Sequence, residues 1–383
     1  MGSISGRDPA TGNGLTIEFN NGKITALTPC TSKNTNYLSA GLVDLQVNGY
    51  GGIDFNDGDL TADKVRDISR KMLTTGVTTY LPTVITASET TIISALEAIT
   101  AARKSDALTA RMIQSVHIEG PFISPKDGPR GAHPIAHVRA PDGEEFRRWQ
   151  AACEGLVGIV TLSPHWPGAP AFIRQVTADG VTIALGHTHA SAEQIAEAVD
   201  AGAAMSTHLG NGAAAELPRH PNYIWCQMAQ DRLTASFIAD GHHLSADFLK
   251  VALRAKTPAR SVLVSDLTAL GGMAPGTYDQ PIGGRVVLEA NGRLGSEGTP
   301  YLAGAALPLT YGVATAMTQG ELSLADALSL ATHGPGRFVQ GRGTLAIGAD
   351  ADIIEFGWRE GDRSLTICSC YLGGEKQYEN ASE

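Results

Sequence analysis

Glu119 stands at the end of a short apolar segment, where a carboxylate needs a chemical explanation. The run Ser115–Glu119 alternates apolar and polar side chains and ends at Gly120-Pro121, a pattern typical of a buried strand followed by a turn. A carboxylate that leaves water without a partner is strongly destabilising. We therefore expect Glu119 to be paired, hydrogen-bonded or bound to a metal ion.

Two histidines occur in the same setting. His187 and His208 each end a run of β-type residues, whereas His117 and the other isolated histidines fit ordinary hydrogen-bonded roles. One carboxylate and two imidazoles that leave a coordination position open are typical of a catalytic zinc site, where water is the fourth ligand. The same ligand atoms can also bind Fe²⁺, Mn²⁺ or Co²⁺. The sequence thus favours one divalent metal ion, with Zn²⁺ as first choice, over a purely structural role.

Two more polar residues follow predicted strands. Asp266 ends an apolar run; it can cap the next helix or, beside a metal-activated water, act as general base and then general acid. Arg219 lies on the loop after His208; such an arginine is usually solvated, but its guanidinium can bind an anionic group in a bidentate manner. Nucleophilic serine catalysis has no support, because the sequence lacks a G-x-S-x-G motif.

These residues can act together only if the fold brings the strand ends to one place. Short apolar runs alternate with helical patterns such as residues 191–201, where Ser191 is a predicted N-cap. This alternation predicts an α/β fold, a (β/α)8 TIM-like barrel in which the strand C-terminal ends converge on one mouth; an open doubly wound sheet is the alternative. The predicted strands are residues 41–46, 77–81, 115–119, 156–162, 181–187, 205–209, 234–240 and 261–266.

The two ends of the chain have only β-type runs, including residues 15–19, 23–27, 343–345, 351–356 and 365–368. Each end is too short to enclose a core of its own. We therefore expect a small β-sandwich domain formed from both termini. The predicted boundaries place residues 1–39 and 336–383 in this domain and residues 40–335 in the barrel.

Composition narrows the class of protein. The 383 residues are 43% hydrophobic and carry a formal net charge of -10, which suits a large core and argues against a general nucleic-acid or membrane-surface role. The five cysteines lack metal-type CxxC spacing, and no segment is apolar enough to span a bilayer. We expect a reduced, cytoplasmic protein that acts on a small molecule.

Several motifs, taken in order along the chain, resemble the N-acetylglucosamine-6-phosphate deacetylases of the amidohydrolase superfamily. The motifs are Ala40–Asp57, H-x-E-G-P-F at His117–Phe122, Gly186–Thr188, Thr207–Asn211, Ala239–His243, Leu263–Asp266, Leu302–Ala305 and Gly343–Asp352. The resemblance implies metal-dependent hydrolysis of the acetamide of N-acetyl-D-glucosamine 6-phosphate, which gives D-glucosamine 6-phosphate and acetate.

The resemblance also implies roles for individual residues. It assigns Glu119, His187 and His208 to the catalytic metal and Asp266 to acid–base catalysis. It assigns His133 to polarising the amide carbonyl, and it assigns further substrate contacts. These contacts are His243, Ala303, the Asn211-Gly212 backbone, and Arg219 as a phosphate-binding residue that is contributed, along with the His243 region, across the interface of a homodimer or homotetramer.

Gln46 and Asn48 occupy the position where many amidohydrolases carry His-x-His for a second metal. Amides and imidazoles differ sharply as ligands, and the resemblance also implies a single metal, so we expect this second position to be empty.

Three loops depart from the family pattern, at residues 163–166, 210–222 and 267–270. A related amidohydrolase acting on another N-acyl sugar or an N-acyl amino acid therefore stays open, and a non-catalytic binding module is a remote alternative.

Overall fold

The central sheet has eight parallel strands that follow one another in chain order. The computed structural model describes residues 1–31, 34–280 and 284–381. The amide of Asp266 donates to the carbonyl of Gln46 at 3.0 Å, and Val47 pairs with Leu267 in parallel, so the last strand meets the first. This arrangement is a barrel, as predicted, and not an open doubly wound sheet. The barrel strands are Leu42–Val47, Val77–Ile85, Val116–Glu119, Val157–Leu162, Thr182–Leu185, Met205–Ser206, Thr234–Phe237 and Ser261–Leu263.

Helices follow the barrel strands and cover the barrel. Most begin at a side-chain cap; at Ser191 the predicted cap is confirmed, because Ser191 and Gln194 form a capping box. The helices are Ala62–Leu73, Glu89–Ser105, Ala107–Met112, Gly143–Ala152, Ala169–Ala178, Ala192–Ala201, Tyr223–Ala229, Ala246–Lys256, Leu309–Thr318, Leu324–Ser329 and His333–Gly336. None of the described helices is long and apolar enough to cross a membrane.

Strands from both termini form a separate seven-stranded sheet. Tyr37–Ala40 pairs antiparallel with Ile353–Gly357 and so joins the two ends of the chain. Apolar side chains from both parts, including Ile17 and Ile353, pack into one small core. The predicted small β domain is confirmed. Its strands are Gly2–Arg7, Gly14–Asn20, Lys23–Cys30, Tyr37–Ala40, Ile353–Gly357, Thr366–Leu372 and Glu375–Glu379.

One predicted terminal strand is wrong. Residues 343–345 form an irregular segment, because Gly343 has a φ of 68°. That backbone conformation is outside the β region.

A three-stranded antiparallel sheet, which sequence reasoning did not predict, is inserted between the last barrel strand and helix Leu309–Thr318. Its strands are Gly276–Gln280, Gly284–Leu288 and Leu294–Ser296. We call these three strands the insert sheet. Leu294 and Ser296 line the cavity at the barrel mouth, so the insert sheet forms part of the site wall.

Candidate active site

Glu119, His187 and His208 meet at the barrel mouth, at the ends of the third, fifth and sixth barrel strands. Oε1 of Glu119 lies 2.9 Å from Nε2 of His208 and 3.4 Å from Nε2 of His187, and the two imidazole Nε2 atoms are 3.1 Å apart. Tetrahedral coordination at bond lengths of about 2.0–2.1 Å places ligand atoms about 3.3 Å apart. The three side chains, all buried, are therefore spaced as ligands of one ion.

The protonation of His187 supports the same interpretation. Its Nδ1 lies 2.8 Å from the carbonyl oxygen of Pro129, an acceptor, so Nδ1 carries a proton. Nε2 is then the ring nitrogen that faces the Glu119 carboxylate. A histidine that donates Nδ1–H to a backbone carbonyl and presents Nε2 beside a carboxylate has the arrangement found in metal sites.

His133 adds a fourth ligand-type side chain to this group. The ligand atoms of Glu119, His133 and His187 all lie within 4.8 Å of one another, and Nε2 of His133 is 4.0 Å from Oε2 of Glu119. Nδ1 of His133 is 2.8 Å from the hydroxyl of Thr86. Burial lowers the pKa of His133 to about 3, and His187 adds to the effect, so the ring is neutral at pH 7.

The side-chain amides of Gln46 and Asn48 donate hydrogen bonds to the carboxylates of Glu119 and Asp266. Nε2 of Gln46 donates to Oε1 of Glu119 at 2.9 Å, and Nδ2 of Asn48 donates to Oδ1 of Asp266 at 2.7 Å. These hydrogen bonds fix the orientation of both carboxylates, in the way that outer partners orient metal-site residues.

Asp266 faces the same cavity from the residues after the eighth barrel strand. Burial raises its pKa to about 6, and the negative charge of Glu119 adds to this effect, while His208, His243 and the Asn48 hydrogen bond oppose it. A carboxyl whose pKa lies near neutrality can both accept and return a proton at physiological pH.

Three of these side chains share an unusual backbone conformation. His187, His208 and Asp266 have φ values of 47°, 30° and 53°, in the left-handed region that residues other than glycine rarely occupy. Each such residue is destabilising by about 1–3 kcal/mol and persists where the surrounding structure enforces it, as at active sites. Three of the eight described non-glycine residues with a positive φ therefore lie at these strand ends, which agrees with a site at the barrel mouth.

The site opens into a cavity of about 1140 Å³. The cavity wall includes Asn211, Gly212, His243 and Ala303, which are four of the predicted substrate contacts. An added Cβ at Gly212 would lie 2.8 Å from Nδ1 of His187, so this position has no room for a side chain. Nδ2 of Asn211 is buried without a hydrogen-bond partner in the described structure.

Known proteins resemble this chain in sequence and in fold. Residues 37–369 match the amidohydrolase family. The bovine (Bos taurus) N-acetylglucosamine-6-phosphate deacetylase is 33% identical over 351 residues, which cover 88% of this chain and 82% of that protein. The chain belongs to the N-acetylglucosamine-6-phosphate deacetylase family of amidohydrolases.

Two other members of this family broaden the comparison. An N-acetylgalactosamine-6-phosphate deacetylase from Shewanella sp. is 32% identical over 349 residues, covering 89% of this chain and 83% of that protein. An aspartate-to-alanine mutant of the Mycobacterium smegmatis N-acetyl-D-glucosamine-6-phosphate deacetylase has been solved in complex with N-acetyl-D-glucosamine 6-phosphate. It superposes with a TM-score of 0.86 at 26% identity, covering 98% of this chain and 98% of that chain.

Arg219 lies apart from the other predicted site residues of the deacetylase family. It is exposed and does not line the cavity of its own chain. Among the described residues that line this cavity there is no lysine or arginine, whereas Asp54, Glu119, Asp127 and Asp266 contribute carboxylates.

Sequence reasoning missed several contributors to the amidohydrolase site. Thr86 and the Pro129 carbonyl hold the rings of His133 and His187, and neither stands out in the sequence. Thr86 follows directly on the second barrel strand, which was an available signal because strand ends meet at the mouth.

His117 points into the barrel, where Nε2 lies 2.7 Å from the Thr161 hydroxyl and Nδ1 lies 3.1 Å from the Leu45 carbonyl.

Proposed function

We propose that this protein hydrolyses the acetamide of N-acetyl-D-glucosamine 6-phosphate to D-glucosamine 6-phosphate and acetate. The observation that carries the proposal is that Glu119, His187 and His208 converge within 3.4 Å in the cavity that Asp266 also faces. The named activity of the relatives supports the amide bond and the phosphosugar.

We assign the metal to Glu119, His187 and His208, with one ion per subunit. The distances among these three side chains are shorter than the 4.0 Å from Glu119 to His133, which favours His208 over His133 as the third ligand. Two nitrogens and one oxygen suit Zn²⁺, and Fe²⁺, Mn²⁺ or Co²⁺ can replace it. A bound divalent ion lowers the pKa of water and polarises a carbonyl group.

The remaining chemistry falls to Asp266 and His133. Asp266 accepts the proton of the attacking water and passes it to the departing amine, and Asn48 holds its carboxylate in place for both transfers. We assign the Thr86 hydroxyl as the donor to Nδ1 of His133, which leaves the single ring proton on Nε2. That N–H then donates to the acetamide oxygen as negative charge develops on it.

We further propose that the substrate phosphate binds to His243 and to Arg219 of a second subunit. The absence of lysine and arginine from the described cavity wall, together with the exposure of Arg219, supports a cation supplied from outside the chain. A homodimer or homotetramer in the cytoplasm fits this assignment. The domain boundaries at residues 39/40 and 335/336 stay predictions.

A substrate panel tests the reaction. We expect acetate release from N-acetyl-D-glucosamine 6-phosphate with a kcat/KM at least tenfold above that for free N-acetyl-D-glucosamine, and Arg219→Ala should remove most of this advantage. N-Acetyl-D-galactosamine 6-phosphate and an N-acetyl amino acid belong in the panel, because a family relative acts on the former. Equal rates with and without phosphate would favour a different N-acyl substrate.

Asp266→Asn tests the mechanism and excludes a mere binding module. Asparagine keeps the side-chain volume but cannot act as a base, so acetate release should fall by about 10²–10⁴-fold while the metal content stays at the wild-type level. Turnover near that of the wild type would refute the acid–base assignment, and a wild-type protein without turnover on any panel member would favour a non-catalytic module.

A further inference from the structure

His243 lies on the cavity wall in a loop that one carboxylate organises. After the seventh barrel strand, the chain turns at Gly241, whose φ is 79°, and places His242 and His243 at the barrel mouth. Asp240 is buried directly before this turn. Its Oδ1 accepts the backbone N–H groups of His242 at 2.8 Å and of His243 at 2.9 Å.

The second carboxylate oxygen of Asp240 fixes the ring of His243. Oδ2 lies 2.7 Å from Nδ1 of His243. Burial alone would raise the pKa of Asp240, but the hydrogen bond and the charge of His243 outweigh it, so the pKa lies below its usual value. An ionised carboxylate only accepts hydrogen bonds, so Nδ1 of His243 carries a proton and Nε2 is left for the cavity.

The charges of the cavity wall distinguish the Asp240–His243 pair from the other side chains there. The described cavity wall has carboxylates but no lysine or arginine. His133, His187 and His208 belong to the Glu119 group, and Nε2 of His242 lies 3.3 Å from the carbonyl oxygen of Asn291, near the insert sheet. Outside the metal group, His243 is therefore the cavity histidine whose Nδ1 is bound by a carboxylate. Its Nε2 has no protein partner among the described residues.

We propose that Asp240 is a positioning residue for substrate binding. By accepting Nδ1–H of His243, it fixes the ring with Nε2 toward the cavity. When an anionic substituent of the substrate binds there, that anion and Asp240 together favour a proton on Nε2, which donates a charge-assisted hydrogen bond to the substituent. The inference rests on the proposed deacetylase reaction with a phosphorylated amino sugar. It assigns to Asp240 no part in the chemical step at the acetamide.

Asp240→Asn tests this role in the metal-loaded enzyme. Asparagine can still accept the two backbone N–H groups that form the turn, but it lacks the charge that stabilises the imidazolium. Loss of a charge-assisted hydrogen bond weakens binding by about tenfold or more. We expect KM for N-acetyl-D-glucosamine 6-phosphate to rise about tenfold or more with kcat changed less than about threefold, and KM for free N-acetyl-D-glucosamine to stay unchanged.

Two further variants frame the result. Asp240→Glu keeps the charge, so it should bind the phosphosugar better than Asp240→Asn. Asp106→Asn is a matched control. Like Asp240, Asp106 accepts a backbone N–H, in its case at a helix start, and it pairs with a basic side chain, Arg70. The KM values of this variant should equal those of the wild type. Equal losses in kcat on both substrates for Asp240→Asn, or no change in either constant, would overturn the proposal.

A measurement that does not need turnover separates this inference from the proposed function. Nitrogen-15 NMR of the metal-loaded protein should report a proton on Nδ1 of His243, and titration with D-glucosamine 6-phosphate should shift its Nε2 signal in the wild type and less in Asp240→Asn. A wild-type ring protonated only on Nε2 would refute the positioning role. Failure of acetate release with the expected NMR result would refute only the proposed reaction.

Discussion

Replacing Gly212 by alanine is expected to weaken metal binding through a steric contact with a proposed ligand. An alanine Cβ at this position would lie 2.8 Å from Nδ1 and 2.9 Å from Cε1 of His187. Real Cβ atoms do not approach ring atoms so closely, so the loop or the ring must move. The ring cannot move freely, because its Nδ1 donates to the Pro129 carbonyl at 2.8 Å.

The cost of Gly212→Ala has two parts, the backbone strain of an alanine with a positive φ and the contact with His187. An alanine in the left-handed region is destabilising by about 1–2 kcal/mol at any site. Gly180→Ala measures this part alone, because Gly180 has a φ of 81° and open space around its Cβ position. Gly212→Ala adds the loss of the His187–Pro129 hydrogen bond, and loss of such an outer partner lowers metal affinity by about 10–100-fold.

The assay is competition for Zn²⁺ against a chelator of known affinity, with thermal unfolding of the metal-free proteins measured in parallel. Both variants should lose stability, Gly212→Ala by more because it also loses the buried His187–Pro129 hydrogen bond, and only Gly212→Ala should bind Zn²⁺ more weakly. A Gly212→Ala protein with the wild-type Zn²⁺ affinity would show that His187 is not a ligand, or that the loop yields without moving it, and either result refutes the reasoning.

Three further predictions concern the two histidines His208 and His133, the amide of Gln46, and the buried carboxyl of Asp44. His208→Asn should abolish stoichiometric metal binding, as checked by metal analysis. His133→Asn should retain the metal and lose acetate release. The reverse pattern would exchange the two assignments. Gln46→Leu should lower Zn²⁺ affinity about tenfold in the same chelator assay, because Glu119 loses an orienting hydrogen bond. Burial raises the pKa of Asp44 to about 7, above its unfolded value of about 3.9, so the wild type should lose stability as the pH rises from about 4 to 7. Asp44→Asn should gain in melting temperature relative to wild type between pH 5 and pH 8, and a constant difference would contradict the shift.

The sequence predicted the barrel well because its strongest signals are local. Apolar runs, helix caps such as Ser191 and the alternation of the two mark each βα unit without knowledge of its neighbours. All eight predicted barrel strands overlap observed strands, although the sixth shortens to Met205–Ser206, since His208 adopts a positive φ. The insert sheet escaped prediction because it interrupts the repeating pattern after the eighth strand.

The site was harder to predict because its geometry depends on residues far apart in sequence. Strand-end logic brought Glu119, His187, His208 and Asp266 together, and the resemblance added His133. The backbone carbonyl of Pro129 has no sequence signature, because any residue at that position supplies the same acceptor. The hydrogen bonds that choose a histidine tautomer are likewise visible only in three dimensions.

The two amides of Gln46 and Asn48 show how sequence and structure combine to favour a single metal. From the sequence, they are simply poor replacements for imidazoles. In the structure, each amide presents an N–H donor to a carboxylate, Glu119 in one case and Asp266 in the other. Each amide thus uses its N–H on a carboxylate, and the amide oxygens that remain suit Zn²⁺ or Fe²⁺ less well than imidazole nitrogens do. The same two side chains therefore disfavour a second ion, and they orient both the proposed metal-binding carboxylate and the proposed base. One pair of residues thus bears on both the number of metal ions and the acid–base chemistry.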